Sequence, residues 1–449
     1  MQEFISRLPQ SASIKVFAIG ILILVLLIPL SMIEAVIYER EQMGFTAKQD
    51  IQRTWGNPQQ VAGPVLVVPY DTVHTNSRGD EFTNRHHLFV MPEELKIDGN
   101  IDPEIRYRGM HNVPVYTAQL TMRGKFSATW LDEMNIAPQN VDWKGVLIAL
   151  AVSDARAITE IPSVTLPDGE VRFVPGGMQV HGFPPQVVAP IGREIDAEKL
   201  RQALSFEIDL NLNGSESLQF LPAGDTTSVT LRSSWASPSF SGNYLPEHRE
   251  IAADGFNASW RVSSIGRELA SRWTDASGIG STSDTSYFGV DLYMPISVYR
   301  LTERATKYGV LFLGLTFVTY FLFEVVAGMR LHPLQYLLVG FANSLFYLLL
   351  LSLAEHIGFG LAYLVSCVGS CGLIIGYSWS VLGSRSSALI MSSVLLLLYS
   401  FLYMTLKAEN FALLAGTIGL WVSLGVTMYL TRSIDWYGKS KKSSVEVTS

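Results

Sequence analysis

The stretch VFAIGILILVLLIPLSMI, residues 16–33, decides what kind of protein this chain can be. It carries no charge between Lys15 and Glu34. The hydrocarbon core of a bilayer takes about 20 such residues as a helix, because a backbone group without a hydrogen bond is costly in hydrocarbon. The stretch is therefore predicted to cross a membrane.

A cleaved signal peptide is the alternative interpretation of this segment. Its apolar run is longer than the central region of a signal peptide, and no A-x-A-like cleavage site follows it. The next residues, EAVIYEREQMGFTAKQDIQRTW (34–55), indicate a helix that continues out of the membrane. We therefore interpret the segment as a retained anchor.

The last third of the chain carries five further apolar segments. They are residues 308–329, 334–354, 361–381, 386–406 and 411–430. Each is long enough to span a bilayer as a helix. Together with the first stretch they predict six transmembrane helices.

Orientation follows from the positions of Lys and Arg, which are enriched in short cytoplasmic loops. If the N-terminus is cytoplasmic, the short loops on the opposite side hold only Lys407. The cytoplasmic side then holds Arg7, Lys15, Arg330, Arg385, Arg432, Lys439, Lys441 and Lys442. This bias predicts that both termini lie in the cytoplasm.

Most charged residues lie in one block between the first two apolar segments. Of the 33 Lys and Arg and the 40 Asp and Glu in the chain, residues 39–307 hold 24 and 33. Nucleic-acid binding depends on neutralising phosphates with basic residues, so an acidic block without basic runs excludes that function. The block is predicted to fold in water.

The same block has the residue alternation of a β protein. In RQALSFEIDLNLNG (201–214), apolar and polar residues alternate, and Asn213-Gly214 predicts a turn at the end of the strand. The apolar members are Leu204, Phe206, Ile208, Leu210 and Leu212. Similar patterns recur through the block, which predicts an antiparallel β sandwich or layered β domain.

Sequence motifs for catalysis or cofactor binding are missing. His86 and His87 are adjacent, and successive strand residues point to opposite faces, which argues against one shared metal ion. The chain contains no zinc-protease or P-loop motif, no dinucleotide fingerprint and no nucleophile elbow. We therefore expect neither enzyme activity nor a cofactor or metal.

Cys367 and Cys371 are the only cysteines and lie four residues apart in an apolar segment, so they share one helix face. Small residues surround them, which favours close helix–helix packing. A redox or metal-binding pair is the other interpretation.

Glu324 is the charged residue predicted to lie deepest in a membrane segment. It precedes Arg330 by a helical rise of about 9 Å. A carboxylate at the centre of a bilayer costs about 2.5–3.5 kcal/mol on insertion scales, so it usually finds a partner. His332 or an arginine of the inner loops, such as Arg330, could serve. A role in proton or ion movement and simple extension to the inner interface are the alternatives.

Glu355 and His356 lie side by side in SLAEHIGF (352–359), between the third and fourth apolar segments. The predicted topology places them at an outer turn, where Gly358 allows a tight change of direction. A hairpin turn at the water interface is one interpretation. A proton-sensitive pair that faces the soluble domain is the other, because histidine titrates near neutral pH.

Seven stretches, in this order, resemble the CreD family of bacterial inner-membrane proteins. They are TWGNPQQVAGPVLVVPY (54–70), WASPSFSGNYLPEHREI (235–251), GFNASWRVS (255–263), FLFE (321–324), LHPLQYLLVG (331–340), FYLLLLSLAEHIGFGLAY (346–363) and TRSIDWY (431–437). The resemblance implies an inner-membrane location and a role in cell-envelope integrity, colicin tolerance and stress response. It implies no established reaction and no catalytic or ligand-binding residues.

The predicted architecture is therefore a membrane α-helical protein of six spans with a large antiparallel β-rich periplasmic domain between spans one and two. Its parts are a cytoplasmic N-terminus (1–15), transmembrane helix 1 (16–37), the periplasmic domain with a helical stalk at its start (38–306), a five-helix transmembrane bundle (307–431) and a basic cytoplasmic tail (432–449).

Three functions are weighed for this architecture. The leading hypothesis is a non-enzymatic, multi-pass protein that supports the cell envelope through a protein, peptidoglycan or lipid partner of its periplasmic domain. The second is a proton- or ion-coupled transporter or channel component that uses Glu324. A membrane-bound hydrolase, the third, has no motif in its favour. The oligomeric state is left open.

Overall fold

The computed structural model of the protein describes residues 12–75, 80–127, 129–176, 186–194, 203–266, 270–275, 287–294, 298–326, 331–382, 385–408 and 411–432. The chain divides into two compact units. The helical unit is Met1–Met43 with Ile296–Ser449, and the β unit is Gly44–Pro295.

Eight α-helices lie within the described residues. They are α1 (Ala12–Trp55), α2 (Trp130–Glu133), α3 (Val298–Lys307), α4 (Gly309–Val326), α5 (Pro333–Ile357), α6 (Phe359–Leu382), α7 (Arg385–Lys407) and α8 (Ala412–Thr431). The helix predicted to continue past Glu34 does so, because α1 runs without a break over 44 residues.

Four helices are long and apolar enough to cross a membrane. The qualifying segments are Lys15–Trp55 of α1, Pro333–Ile357 of α5, Phe359–Val381 of α6 and Leu389–Lys407 of α7. The structure therefore supports several apolar spans by length and composition.

A fifth candidate span is formed by α3 and α4 together, which bend by 42° at their junction. Its helical part begins at Val298, before the boundary predicted at residue 307. The apolar part of α8, Leu414–Tyr429, is shorter than the others. Four or five candidate spans are thus seen in the described residues, and the sixth rests on the sequence.

Helix α1 approaches α5 closely at Gly340. Gly340 of α5 is buried there, next to the buried side chains of Leu26 of α1 and Phe317 of α4. A Cβ added to Gly340 would lie 2.2 Å from Leu26 Cδ1 and 3.0 Å from Phe317 Cζ. Glycine at this position therefore lets the helices pack against each other directly.

The β unit contains two sheets. Its strands are β1 (Gln59–Thr75), β2 (Glu81–Val90), β3 (Glu94–Arg108), β4 (His111–Phe126), β5 (Leu147–Val152), β6 (Ser163–Leu166), β7 (Gly169–Arg172), β8 (Val174–Pro175), β9 (Gln186–Pro190), β10 (Leu204–Ser215), β11 (Ser217–Phe220), β12 (Thr226–Ser233), β13 (Pro238–Gly242), β14 (His248–Ala252), β15 (Gly255–Ser263), β16 (Arg272–Thr274) and β17 (Phe288–Leu292). A β-rich domain is confirmed.

The first sheet has nine strands and the second has eight. The order of the first is β13-β17-β11-β1-β5-β9-β8, with β2 on β1 and β16 on β2. The order of the second is β14-β15-β12-β3-β4-β10-β6-β7. Inward residues of both sheets, among them Leu120, Ile148, Leu210 and Val290, share one buried core. Such a layered arrangement was predicted.

The prediction of a purely antiparallel domain needs a correction. β1 pairs with β11 in parallel, and so does β3 with β12, while the other described pairs are antiparallel. A parallel pair needs a long connection between its strands, and more than a hundred residues separate the members of each pair. Local alternation carries no information about such distant pairing.

The strand predicted at residues 204–212 is confirmed. Phe206, Ile208, Leu210 and Leu212 are buried, and Leu204 is half-buried. The alternating side chains thus place one face of β10 in the core, as a strand with one buried face requires.

The turn predicted at Asn213-Gly214 is wrong. Both residues continue β10 and pair with Thr117 and Tyr116 of β4. A Cβ at Gly214 would lie 2.3 Å from the Tyr116 ring, so glycine is needed here for the aromatic side chain to cover the strand. The chain instead changes sheet at Glu216, which has a left-handed backbone with φ of 59°.

Asp154 joins the start of β1 to the loop after β5. Its carboxylate accepts hydrogen bonds from Asn57 Nδ2 at 2.8 Å and from Arg156 Nε at 2.9 Å. The side chain of Asp154 is 6% exposed. The Arg156 hydrogen bond, and then the backbone hydrogen bond from Asn57, hold the pKa of Asp154 below its usual value of 3.8 against the effect of burial.

Replacing Asp154 by asparagine is expected to lower the free energy of unfolding by about 1–2 kcal/mol at neutral pH, because hydrogen bonds to a charged group are lost. Since the folded pKa is the lower one, this contribution is fully present above pH 3.8 and disappears as the pH falls through the folded pKa. Denaturant unfolding of the intact chain and of Asp154→Asn, at pH 7 and at a pH below 3.8, measures the loss of free energy of unfolding at each pH.

Glu207→Gln is the matched control for this prediction. Glu207 pairs with Arg123 at 2.8 Å, but both side chains are about half exposed, so the expected loss is within about 0–1 kcal/mol. A loss in Asp154→Asn that is the same at both pH values would contradict the prediction.

Candidate functional site

Glu324 of α4 is buried and ion-paired. Its side chain is 4% exposed, and its Oε1 contacts Lys15 Nζ of α1. Tyr336 OH of α5 donates to Oε2 at 3.1 Å, and the backbone N of Leu331 donates to Oε1 at 3.2 Å. We call Lys15, Glu324 and Tyr336 the Glu324 cluster. It joins three helices by one carboxylate.

Glu355 near the end of α5 has a comparable environment. Its side chain is 7% exposed, and Tyr299 OH of α3 donates to its Oε1 at 3.1 Å. Arg40 Nε of α1 lies 3.9 Å from the same oxygen. We call Arg40, Glu355 and Tyr299 the Glu355 cluster. A cation of α1, a glutamate and a tyrosine therefore occur together twice.

The two clusters lie at opposite ends of the apolar part of α1. Residues 15 to 40 of a helix rise by about 37 Å. A bilayer is about 30 Å thick in its hydrocarbon core and about 40–45 Å with the headgroups. In a membrane crossed by α1, each cluster would therefore lie close to one boundary, where a charged pair costs less than at the centre.

The chemistry available to both clusters is electrostatic attachment. Each carboxylate has a cation and a tyrosine hydroxyl as partners, so the charge is compensated and hydrogen-bonded. No cysteine, serine or histidine takes part in the described contacts of either carboxylate. The arrangement can hold α1 against α3, α4 and α5.

The remaining predicted site residues do not join these clusters in the described part of the chain. His332 is exposed and caps α5, since its Nδ1 accepts from Leu334 N at 3.2 Å. The partner of Glu324 is Lys15, where His332 or an inner-loop arginine was expected. His356 is exposed, with Nδ1 3.0 Å from Ser352 O. Arg330 lies outside the described residues.

A polar network also lies inside the helical unit. Tyr399 OH of α7 donates to Asn343 Oδ1 of α5 at 2.6 Å, and Asn343 Nδ2 donates to Thr316 Oγ1 of α4 at 3.3 Å. Tyr363 OH of α6 donates to the Tyr399 carbonyl at 2.6 Å. All four side chains are buried, so the network fixes how four helices pack.

Cys367 and Cys371 lie on one face of α6, with their Sγ atoms 3.9 Å apart. Both thiols are free and half-buried. The described residues contain no group of three or more His, Cys, Asp or Glu side chains that could hold a metal ion.

His86 and His87 approach the same carboxylate, although they were expected to point apart. Their Nδ1 atoms lie 3.4 and 3.2 Å from the two oxygens of Asp275. Asp275 follows β16, which pairs with β2, and its backbone N donates to His87 O. The carboxylate thus reaches both histidines from the neighbouring strand.

The β unit has a cleft of about 420 Å³ beside Glu216 and Asp291. Burial, and then the neighbouring Glu216, raise the pKa of Asp291. Glu216 itself pairs with Lys48 Nζ at 2.6 Å and accepts from Gln52 Nε2 at 2.9 Å. The cleft holds no catalytic constellation among the described residues.

Sequence reasoning did not find the cations and tyrosines of the two clusters. Lys15 and Glu324 are 309 positions apart in the chain, and no periodic pattern connects them. Charge compensation could have pointed to the two cations. A lone carboxylate in an apolar segment requires a cation, and Lys15 and Arg40 flank the first span. Tyr299 and Tyr336 carry no distinguishing signal.

Comparison with known proteins agrees with these features. The family model described as "Inner membrane protein CreD" matches residues 11–437. The chain is 35% identical over 435 residues to a protein of Escherichia coli (strain K12) named Inner membrane protein CreD, covering 95% of this chain and 94% of that protein. A match over nearly the whole length includes both units and both clusters. The chain therefore belongs to the CreD family of inner membrane proteins.

Proposed function

We propose that this protein supports cell-envelope integrity and stress tolerance as a non-enzymatic, multi-pass protein of the bacterial inner membrane. The observation that carries the proposal is how the carboxylates of Glu324 and Glu355 are paired. Both carboxylates are compensated by cations of α1 and hydrogen-bonded by tyrosines, as expected of groups that hold helices together.

The proposed topology has six spans with both termini in the cytoplasm. Four or five candidate spans in the described residues, the apolar sequence of α8 and the distribution of Lys and Arg support it. The β unit then lies in the periplasm between spans one and two. Its partner is an envelope protein, peptidoglycan or lipid.

The single helix α1 gives this proposal a physical basis. It carries both cations of the clusters and continues to Trp55, where Ile51 packs with Val113 and Val115 of β4. The ion pairs of Lys15 and Arg40 attach both ends of the predicted span of α1 to the other helices of the helical unit. We propose that this fixed attachment serves the envelope.

A survival test separates the proposal from transport. A null strain receives either the intact chain or a variant combining Glu324→Gln, Glu355→Gln and His356→Ala, at equal membrane levels. Glutamine at position 324 can keep a hydrogen bond with the Tyr336 hydroxyl, and glutamine at position 355 can keep one with the Tyr299 hydroxyl, so we expect survival under envelope stress to be kept.

Loss of survival with the combined variant at equal membrane levels would contradict the proposal. A charged or titrating group would then be required for activity, as in a proton- or ion-coupled transporter. Ion-flux assays with Glu324→Gln alone would identify the group.

A further inference from the structure

Helix α3 of the helical unit carries its cations on one face. Arg300, Arg304 and Lys307 are four and three residues apart, so their side chains follow one another along the helix surface. Arg300 and Lys307 are exposed, and Arg304 is half-buried. We call these three residues the α3 cationic face. The opposite face is buried and consists of small residues, Thr302, Ala305 and Thr306.

Contacts within the helical unit place Lys307 level with the end of the first apolar run. Gly309, two residues further on, lies against α1, because a Cβ added to it would be 3.2 Å from Leu30 Cδ2. Glu34 is the first charged residue after the apolar run of α1, and it acts electrostatically on Lys307. In a membrane crossed by α1, Lys307 would therefore lie where the hydrocarbon core ends.

The other end of α3 lies further from the membrane centre. Tyr299 donates to Glu355 near the C-terminal end of α5, in the cluster at the same boundary. From Arg300 to Lys307, α3 rises by about 10 Å along its axis, and the headgroup layer is about 5–8 Å thick on each side of a bilayer. Since α3 is bent by 42° from α4, part of this rise runs sideways. The α3 cationic face therefore spans the headgroup layer.

We propose that the α3 cationic face binds the phosphate of an anionic phospholipid in the leaflet at this boundary. Arginine can bind a phosphate through two parallel hydrogen bonds, and lysine binds it as a point charge. The three cations face one carboxylate of the same helix, Glu303, which lies 2.7 Å from Lys307, so α3 keeps a surplus of positive charge.

Charge complementarity selects the class of lipid. An anionic headgroup such as that of phosphatidylglycerol compensates the surplus charge of α3. The headgroup of phosphatidylethanolamine carries an ammonium group beside its phosphate, so it gains less from the same cations. Because the attraction is between charges near water, it is expected to weaken at high salt.

This inference rests on the proposed crossing of the membrane by α1 and α4, and it adds a lipid site of the helical unit to the proposed function. A phospholipid bound there would fix the depth of α3 in the headgroup layer. Tyr299 of α3 belongs to the Glu355 cluster, so the depth of that cluster would be fixed as well.

The test measures which lipid lies next to α3. A fluorophore is attached at Val310→Cys in the full chain, with Cys367 and Cys371 replaced by serine, and the protein is placed in nanodiscs of phosphatidylcholine. Val310 is 43% exposed and follows Lys307 by three residues. Phosphatidylglycerol or phosphatidylethanolamine with a nitroxide on its acyl chain is added in equal small amounts, and quenching of the fluorophore by each lipid is compared.

Leu397→Cys in α7 is the matched control position. Leu397 is 68% exposed and lies about 15 Å along the helix from Lys407, away from basic residues of its own helix. Comparing two lipids at one position removes differences in depth between the two labels. Equal quenching by the two lipids is expected at this position.

At residue 310 we expect several-fold stronger quenching by phosphatidylglycerol than by phosphatidylethanolamine. Arg304→Gln combined with Lys307→Gln is expected to remove this preference. Lys96→Gln combined with Arg123→Gln, which removes the same charge from exposed strands of the β unit, is expected to keep it. Equal quenching by the two lipids at residue 310 would overturn the proposal, and so would a preference that survives the loss of Arg304 and Lys307.

The same measurement separates this inference from the proposed function. A label at residue 310 that neither lipid quenches would show that the junction of α3 and α4 is not in the bilayer, and the proposed topology would fail together with the lipid site. A label quenched equally by both lipids would confirm the crossing, and only the lipid site would fail.

Discussion

Lys15→Ala is expected to lower the free energy of unfolding of the helical unit by about 2–3 kcal/mol. Removing one partner of a fully buried ion pair costs about 3–5 kcal/mol, and the 29% exposure of the Lys15 side chain reduces this value. Glu324, at 4% exposure, would stay behind without a cation. Thermal and denaturant unfolding of the protein in nanodiscs measures the loss.

Glu324→Gln is expected to cost less than about 1 kcal/mol, because the amide oxygen of glutamine can accept from Leu331 N while its NH2 group donates to the Tyr336 hydroxyl, which can also accept. The half-exposed Lys15 can then turn to water. Lys15→Ala is therefore expected to cost more free energy of unfolding than Glu324→Gln, because a buried carboxylate without a cation is less stable than a partly exposed lysine without a carboxylate.

Lys307→Ala is the control for this prediction. Lys307 pairs with Glu303 of the same helix at 2.7 Å, with side chains 62% and 40% exposed. Exposed pairs of this kind contribute within about 0–1 kcal/mol. Equal losses for Lys15→Ala and Lys307→Ala would contradict a structural role of the Glu324 cluster.

Gly214→Ala is expected to lower the free energy of unfolding of the β unit by about 3 kcal/mol, at the upper end of the range for overfilled cores. The new methyl group would lie 2.3 Å from Cζ and from the hydroxyl oxygen of Tyr116. Tyr116 is 1% exposed, and its hydroxyl donates to Ser217 O at 2.7 Å. The ring cannot move without losing that bond.

Two further variants test the cause of this loss. Gly169→Ala in β7 has its nearest neighbour 3.9 Å away, so it is expected to change stability by less than about 1 kcal/mol. Adding Tyr116→Phe to Gly214→Ala removes one of the two closest atoms and should recover part of the stability. An unchanged unfolding midpoint in Gly214→Ala would show that the ring moves away freely.

Features that depend on neighbouring residues could be predicted from the sequence. The buried face of β10 follows from alternation, because successive strand side chains point to opposite sides. The continuation of α1 beyond Glu34 follows from a helical sequence without a break. The apolar helices follow from the length of their uncharged runs.

Features that depend on distant residues could not be predicted. The parallel pairs β1–β11 and β3–β12 join strands far apart in the chain, and alternation is the same for either direction of pairing. Asn213-Gly214 has the composition of a turn, but Tyr116 of the neighbouring strand covers the glycine and keeps it in β10. Tertiary packing here overrides local turn preference.

The candidate site was found in part. Glu324 and Glu355 stand out in the sequence because charges are rare in apolar segments. Of their partners, Lys15 was noticed only as a charge beside the first span, and Arg40 was not noticed. An ion pair between helices depends on how the helices pack, which local sequence does not show. Whether these residues have a role beyond packing stays a prediction.

A charge exchange tests the central claim, that the Glu324 cluster is an attachment and not a reactive group. Lys15→Glu and Glu324→Lys are each expected to lower stability and envelope-stress survival, because like charges then meet. The double variant restores opposite charges on α1 and α4 and is expected to recover most of both. A double variant that is stable at normal membrane levels but fails to support survival would contradict the claim, because the carboxylate would then be needed at position 324 itself.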